Sequence, residues 1–264
     1  MNDGRASKIL ADKVAIITGG ASGIGERIAE VFAEQGAAVV VADRSADGAN
    51  AVADRINRSG LTALPFTIDV TSSTDVEDLV ATTVERLGGV GVVVNCAGIG
   101  IQKPTLDTTM DEFMEIVAVN LTGTFAVAQR CAREMARAGW GRIINIASVA
   151  ALRGVPGRCA YGASKGGVVA LTRIMAVDLA EYGITVNALA PGPIDTALTR
   201  RMHTKETREA YVGAIPLHRY GTCDEQASAA LFLASDAAAY ITGLTLEVDG
   251  GMSQAGPLFA TSAR

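Results

Sequence analysis

The chain has 264 residues, 49% hydrophobic and 19% charged, with a formal charge of −5. That apolar content exceeds what disordered chains carry and predicts a sizeable core, and α/β chains of this size commonly form one domain. Negative charge without long basic runs argues against a nucleic-acid or anionic-membrane surface.

The N-terminal MNDGRASKILADK has charges where a signal peptide needs an apolar stretch. The first strand is expected at VAIIT (14–18), followed by TGGASGIG (18–25). Its glycines at 19, 23 and 25 let a backbone turn tightly against a pyrophosphate at a helix N-terminus, although a plain strand-to-helix turn reads the same way. Ile24, Ile28, Val31 and Phe32 share one helical face, and Gly36 suits the helix end.

The second strand, AVVVA (38–42), ends at Asp43, where an acid can grip a ribose diol and repel a 2′-phosphate. Arg44 could accept that phosphate, but Asp43 precedes it, so NAD is favoured over NADP. After ALPFTI (63–68), Asp69-Val70 reads either as an adenine contact or as a helix cap. GVVVN (91–95) leads into Asn95-Cys96-Ala97-Gly98 within a charge-free run from Leu87 to Gln102 that Gly and Asn interrupt, unlike a membrane span. In the helical pattern Phe113-Ile116-Val117-Leu121, Asn120 falls on the apolar stripe. A buried amide needs partners, so Asn120 either braces the core or holds an ordered water.

RIINIA (142–147) ends at Ser148, a strand-end hydroxyl. In CAYGASKGG (159–167), Tyr161 and Lys165 stand one helical turn apart among small residues. A nearby ammonium favours the phenolate, although an amphipathic Tyr beside a snorkelling Lys has the same spacing. Val168-Thr172-Met175-Leu179 continues that helix. ITVNALA (184–190) is followed by PGPIDT (191–196), and Leu198–Tyr220 is expected to form a helical lid, its Leu198, Met202, Tyr211 and Ile215 either lining a pocket or packing helices. A last helix (Asp224–Ala234) and strand (LTLEV, 244–248) close the chain.

Strands continuous in apolar residues and alternating with helices predict an α/β fold, a doubly wound parallel sheet of the Rossmann type in one domain over residues 1–264, with the lid at about 195–220. Ligands of such sheets sit at the strand carboxyl ends. Here those ends carry Thr18-Gly19, Asp43, Asp69, Asn95, Ser148 and Pro191-Gly192. The four cysteines (96, 131, 159 and 223) have no C-x-x-C spacing, so buried free thiols in a reducing, cytoplasmic setting are expected, with no metal.

TGGASGIG, NCAG, Asn120, Ser148, YGASK and PGPIDT together resemble the classical short-chain dehydrogenase/reductase family, over nearly the whole chain. The resemblance implies Tyr161 as general acid/base, Ser148 as the group orienting the substrate oxygen, Lys165 at the nicotinamide ribose and Asn120 on a proton-relay water. It implies a cofactor held by Gly19, Ser22, Gly23, Ile24, Gly25, Asp43, Arg44, Asp69, Val70, Asn95, Ala97, Gly98, Tyr161, Lys165, Pro191, Gly192, Ile194 and Thr196. Substrate would meet Ser148, Tyr161, Leu198 and Met202. A homotetramer is implied, with Asp224–Ala234 and Leu244–Val248 at an interface. Cys96 departs from the family's usual N-N-A-G.

The expected activity is NAD-dependent interconversion of a small secondary alcohol, such as a polyol or sugar, with its ketone. A 3-oxoacyl-carrier-protein reductase is the enzymatic alternative. Against it stand Asp43, Ser22 where those reductases usually carry Arg, and Gly139 and Tyr182 where they tend to carry basic docking residues. A dinucleotide-sensing regulator without catalysis would typically lose the tyrosine or lysine, and both are present. A zinc alcohol dehydrogenase lacks its ligands here, since the only histidines are His203 and His218.

Overall fold

Each apolar run expected as a strand becomes one. In the computed structural model, which describes residues 8–256, β1 (Val14–Thr18), β2 (Ala38–Asp43), β3 (Ala63–Thr67), β4 (Val92–Asn95), β5 (Gly141–Ile146), β6 (Ile184–Pro191) and β7 (Thr245–Val248) build one seven-stranded sheet. The order is β3-β2-β1-β4-β5-β6-β7, with every neighbouring pair parallel. The chain steps outward from β1 to β3 and then returns to the other side of β1 as β4. Thr18 of β1 lies in register with Asn95 of β4 at that reversal, where an open α/β sheet leaves its binding crevice.

Continuous apolar strands result from helices on both faces. Alternate residues Ala15, Ile17, Val39, Val41, Val92 and Val94 pack with Ile28 and Phe32 of α1 (Gly23–Glu34), with α2 (Ala46–Arg58) and with α9 (Cys223–Ala234). Their neighbours Ile16, Val40, Val93 and Ile143 pack on the opposite face with α3 (Ser73–Leu87), α5 (Thr124–Ala138) and α6 (Cys159–Asp178). This is the doubly wound α/β architecture. Between α6 and α9, α7 (Ala197–Met202) and α8 (Lys205–Ala214) occupy the segment expected to be helical.

Two features differ from the sequence reading. The stripe through Leu121 is not one straight α-helix, because α4 (Met110–Val117) passes into a π-helical segment, Ala118–Gly123, before α5 begins. Such widened turns recur at functional sites. The segment is crowded: a Cβ on Gly123 would lie 2.7 Å from a Val70 methyl. The thiols are all free but not uniformly buried, since Cys131 is enclosed and Cys159 is exposed. No described helix is long and apolar enough to cross a membrane.

The tightest constraint lies where α1 meets β1. A Cβ on Gly25 would fall 2.2 Å from the Gly19 carbonyl oxygen, backbone against backbone. Overpacking typically costs about 1–3 kcal/mol, and each kcal/mol lowers Tm by roughly 2–4 °C in a chain of this size. Gly25→Ala is therefore expected to lower Tm by several degrees in a thermal melt, and an unchanged Tm would contradict the close packing.

Candidate active site

The glycine loop fits a phosphate because the sequence removes bulk where two strand ends converge. Gly19 (φ +67) leaves no space for a side chain, as a Cβ would sit 2.8 Å from the Ala97 amide nitrogen. That amide instead donates to Thr18 Oγ1 at 3.3 Å. Gly23 takes the left-handed backbone (φ +58) that disfavours a side chain, and a Cβ there would be in van der Waals contact with the Thr196 methyl at 3.6 Å. Ser22 holds the extended N-cap position of α1 without a side-chain hydrogen bond. By contrast, Ser45, Ser72 and Thr222 cap α2, α3 and α9. The first-turn N–H groups of α1, on Gly23, Ile24 and Gly25, can thus meet an anion.

At the end of β2 the Asp43 carboxylate is pinned beside this loop. Its Oδ2 accepts from Ala21 N–H at 3.1 Å and its Oδ1 from Ser45 N–H at 2.9 Å. Arg44 is exposed, and its charge is felt at Asp69. Asp69 does not cap α3, because Ser72 does. Instead Asp69 accepts from the Thr71 hydroxyl at 2.7 Å and amide at 2.8 Å, bonds that hold its carboxyl below the usual range. Val70 is buried against Gly123.

Asn95 is 2% exposed and donates to Asn145 Oδ1 at 2.9 Å. Asn145 donates to Thr172 Oγ1 at 2.9 Å, and Thr172 donates to the Val168 carbonyl at 2.8 Å. β4, β5 and α6 are joined by this relay, which sequence reasoning missed; the inward polar positions within RIINIA and α6 were its only signal.

Asn120 is fully buried and braces the crevice. Its Oδ1 accepts from Ile99 N–H at 2.8 Å, while its Nδ2 donates to the Ile99 carbonyl at 2.9 Å and to Ser164 Oγ at 3.0 Å. Ser164 donates onward to the Tyr161 carbonyl at 2.8 Å. Of the two readings of Asn120, the side chain fulfils the bracing one.

α6 carries Tyr161 and Lys165 to the crevice. Lys165 is 3% exposed, and its ammonium donates to the Ile146 carbonyl at 2.6 Å and stands 5.9 Å from the Tyr161 ring centroid. Burial lowers its pKa to about 8. Tyr161 keeps some surface open to the crevice, yet the protein around it raises its phenol above the usual value, while the Ser148 hydrogen bond and the Arg158 charge act in the opposite sense. Burial is the largest cause acting on the phenol. Ser148 itself is buried and accepts from Ala150 N–H at 3.2 Å. Gly98 borders both key groups, as its Cβ would lie 3.2 Å from Asn120 Oδ1 and 3.5 Å from Lys165 Nζ. Burial pushes the neighbouring Cys96 thiol up to about 11.

On the far wall, β6 ends at Pro191, and a Cβ on Gly192 would meet Asp249 at 2.8 Å. Ile194 bridges to Gly221, and Thr196 caps α7 through Thr199 N–H. Asp195 ties α7 to α8 through Arg200 at 2.9 Å and Arg208 at 3.0 Å. Met202 is partly exposed, and the Leu198 side chain lies outside the described residues. Ile215 is buried with Val149 and Met252, with the partly buried Tyr211 against them. Sequence reasoning also missed His203, which stacks on Tyr211 at 5.2 Å and shares a 3.0 Å hydrogen bond with the Tyr220 hydroxyl, and Arg158, beside Tyr161. Among the described residues no group of three or more His, Cys, Asp or Glu is placed to hold a metal.

The family described as Enoyl-(Acyl carrier protein) reductase matches residues 19–253. The chain is 40% identical over 243 residues to the 3-oxoacyl-[acyl-carrier-protein] reductase FabG of Pseudomonas aeruginosa, covering 92% of this chain and 98% of the relative. It is 38% identical over 242 residues to an NAD-dependent glycerol dehydrogenase of Listeria innocua, covering 92% and 94%. Among solved structures, a gluconate 5-dehydrogenase of Burkholderia cenocepacia in complex with NADP and tartrate superposes with a TM-score of 0.91 at 38% identity, over 95% of this chain and 98% of that one. With its sheet, glycine loop and Tyr161–Lys165 helix, the chain thus belongs to the classical short-chain dehydrogenase/reductase family, nicotinamide-dinucleotide oxidoreductases that act on CH–OH groups.

Proposed function

We propose that this enzyme uses NAD to interconvert a small secondary alcohol with its ketone. The observation that carries the cofactor choice is the Asp43 carboxylate, fixed by Ala21 and Ser45 amides beside the glycine loop. An acid so anchored accepts hydrogen bonds from a ribose diol and opposes a 2′-phosphate. The left-handed glycines at 19 and 23 and the uncapped start of α1 support a pyrophosphate there.

When bound, the nicotinamide supplies or accepts the hydride. The protein's own part is proton handling and orientation. Ser148 holds the substrate oxygen, and Tyr161 takes the hydroxyl proton in oxidation or returns it in reduction. Lys165, on the same helix face, offers its ammonium to the nicotinamide ribose and to the phenolate as it forms. Asn120 and Ser164 hold the Tyr161 turn against the Ile99 loop, and a relay water would be met by backbone there rather than by the engaged Asn120 amide. The α7–α8 segment serves as the lid. Free thiols fit a cytoplasmic setting, and the partly exposed Phe232 and Leu244 of the last helix and strand region fit a homotetramer interface.

A second reading, an NADPH-dependent 3-oxoacyl-carrier-protein reductase, has the Pseudomonas relative on its side. Gly139 and Tyr182 offer no basic docking group, but the cleft lined by Tyr182 is also lined by Arg133 and Arg137. Steady-state comparison of NAD with polyols against NADPH with acetoacetyl thioesters separates the two. A thioester ahead by about tenfold in kcat/KM, roughly 1.4 kcal/mol of transition-state preference, would favour the second reading.

Tyr161→Phe is expected to cut turnover by about 10²–10⁴-fold while NADH binding, followed by fluorescence, stays near wild type. Turnover within a few-fold of wild type in a folded variant would remove Tyr161 from the proton path.

Asp43→Ser is expected to narrow the NAD-over-NADP ratio of kcat/KM by at least about tenfold. Equal wild-type efficiency with both cofactors would show Arg44 overriding the acid.

Burial of Lys165 sets a pH dependence of stability. With the folded value near 8 and the ordinary value 10.5, the cost of burying its charge is fully present below pH 8. That cost is relieved as pH rises from about 8 to 10.5, because the unfolded chain then holds more protons than the folded one. Urea unfolding of wild type and Lys165→Met without cofactor should show the stability difference moving in favour of wild type by up to a few kcal/mol across that window. A difference that stays flat with pH would refute the shift.

A further inference from the structure

Arg158 occupies the N-cap position of α6, three residues before Tyr161. It is half-buried at the crevice, with its Cζ 5.5 Å from the Tyr161 ring centroid. Its Nη1 donates to the Ile101 carbonyl at 3.2 Å. Gly100 permits this arrangement, because a Cβ there would lie 3.0 Å from Tyr161 Cδ2 and 3.4 Å from Arg158 Nη1.

The charge of Arg158 is also felt across the crevice at His203 of the lid. Burial is the main cause that lowers the His203 pKa, and Arg158 adds to it. The guanidinium therefore acts on the catalytic phenol and on the lid imidazole alike.

In the lid, Arg200 and Arg208 share the Asp195 carboxylate and Arg219 pairs with Glu225. Among the described residues, none of the ion pairs includes Arg158, whose contacts are a carbonyl and a ring face. A guanidinium carries five N–H donors in a planar fork that matches a carboxylate. Leaving such a cation half-desolvated beside a substrate hydroxyl site is costly unless an anion joins it.

We propose that Arg158 receives a carboxylate of the substrate, so that the enzyme acts on hydroxy acids and their keto acids in preference to the matching neutral alcohols. This rests on the alcohol–ketone reading above and narrows its substrate class. Arg158 then sets specificity while Tyr161 and Ser148 handle the reacting oxygen.

The test uses matched pairs with NAD, gluconate against sorbitol and 3-hydroxybutyrate against its amide, in wild type, Arg158→Met and Arg158→Lys. The readout is the acid-to-neutral ratio of kcat/KM, in which any loss common to both members cancels, including damage to Tyr161 packing. Wild type should favour the acid by at least about tenfold, a preference lost in Arg158→Met mainly through KM and partly kept in Arg158→Lys. A wild-type ratio near one, or a ratio unchanged in Arg158→Met, overturns the proposal.

Calorimetric titration of the NAD-loaded enzyme with tartrate provides a readout independent of turnover. Binding to wild type that weakens in Arg158→Met supports the site, and no binding, or equal binding to both, overturns it. If no pair is turned over but tartrate binding depends on Arg158, the alcohol–ketone reading fails and the anion site stands.

Discussion

The crevice depends on a buried line of hydrogen bonds that crosses from sheet to helix. Asn95, Asn145 and Thr172 link β4 and β5 to α6, ending on the Val168 carbonyl. Each such bond contributes only about 0.5–1.5 kcal/mol net, but a buried partner left alone costs about 1–3 kcal/mol. The relay therefore acts mainly as a register lock. It sets where α6 sits over the strand ends, and hence where Tyr161 and Lys165 arrive. A second clamp, from Asn120 to the Ile99 backbone and Ser164, fixes the first turns of the same helix.

The site's charges are held in different ways. Asp43 is kept by two backbone amides, which support an anion without neutralising it. Lys165 is buried against a carbonyl and has its pKa lowered. Arg158 is half-buried against a ring. Groups held away from full solvation respond strongly to whatever binds beside them, because the low local dielectric strengthens every new contact. Stability is given up for that responsiveness, most plainly at Lys165.

Much of this was legible in the chain. Continuous apolar runs marked the strands because both faces of a parallel sheet are covered. The glycines at 19, 23 and 25 marked the loop because bulk cannot fit there, and Asp43 fell at the expected strand end. The Tyr161–Lys165 spacing placed both on one helical face. Asn120 was expected to be buried and is. These features are local, or follow from a period, so one sequence can carry them.

What needed the tertiary structure was decided by contacts between distant segments. The π-helical turn at Ala118–Gly123 sits where Gly123 meets Val70, some fifty residues away in sequence, and no periodicity announces it. Asp69 reads as a cap until Ser72 takes that place. Ile215 reads either as pocket lining or as packing, and only the fold brings Val149 and Met252 to it. Burial is the main cause that raises the Tyr161 phenol, and burial depends on everything packed around a side chain. By itself the sequence determined the layered α/β sheet, the glycine-rich turn after β1 and the placing of Tyr161 and Lys165 on one helix face. Which polar atoms meet, and that a half-buried Arg158 faces a ring and a carbonyl rather than a carboxylate among the described residues, was decided only when β4, β5, α6 and the lid came together, because hydrogen bonds and desolvation act between neighbours in space.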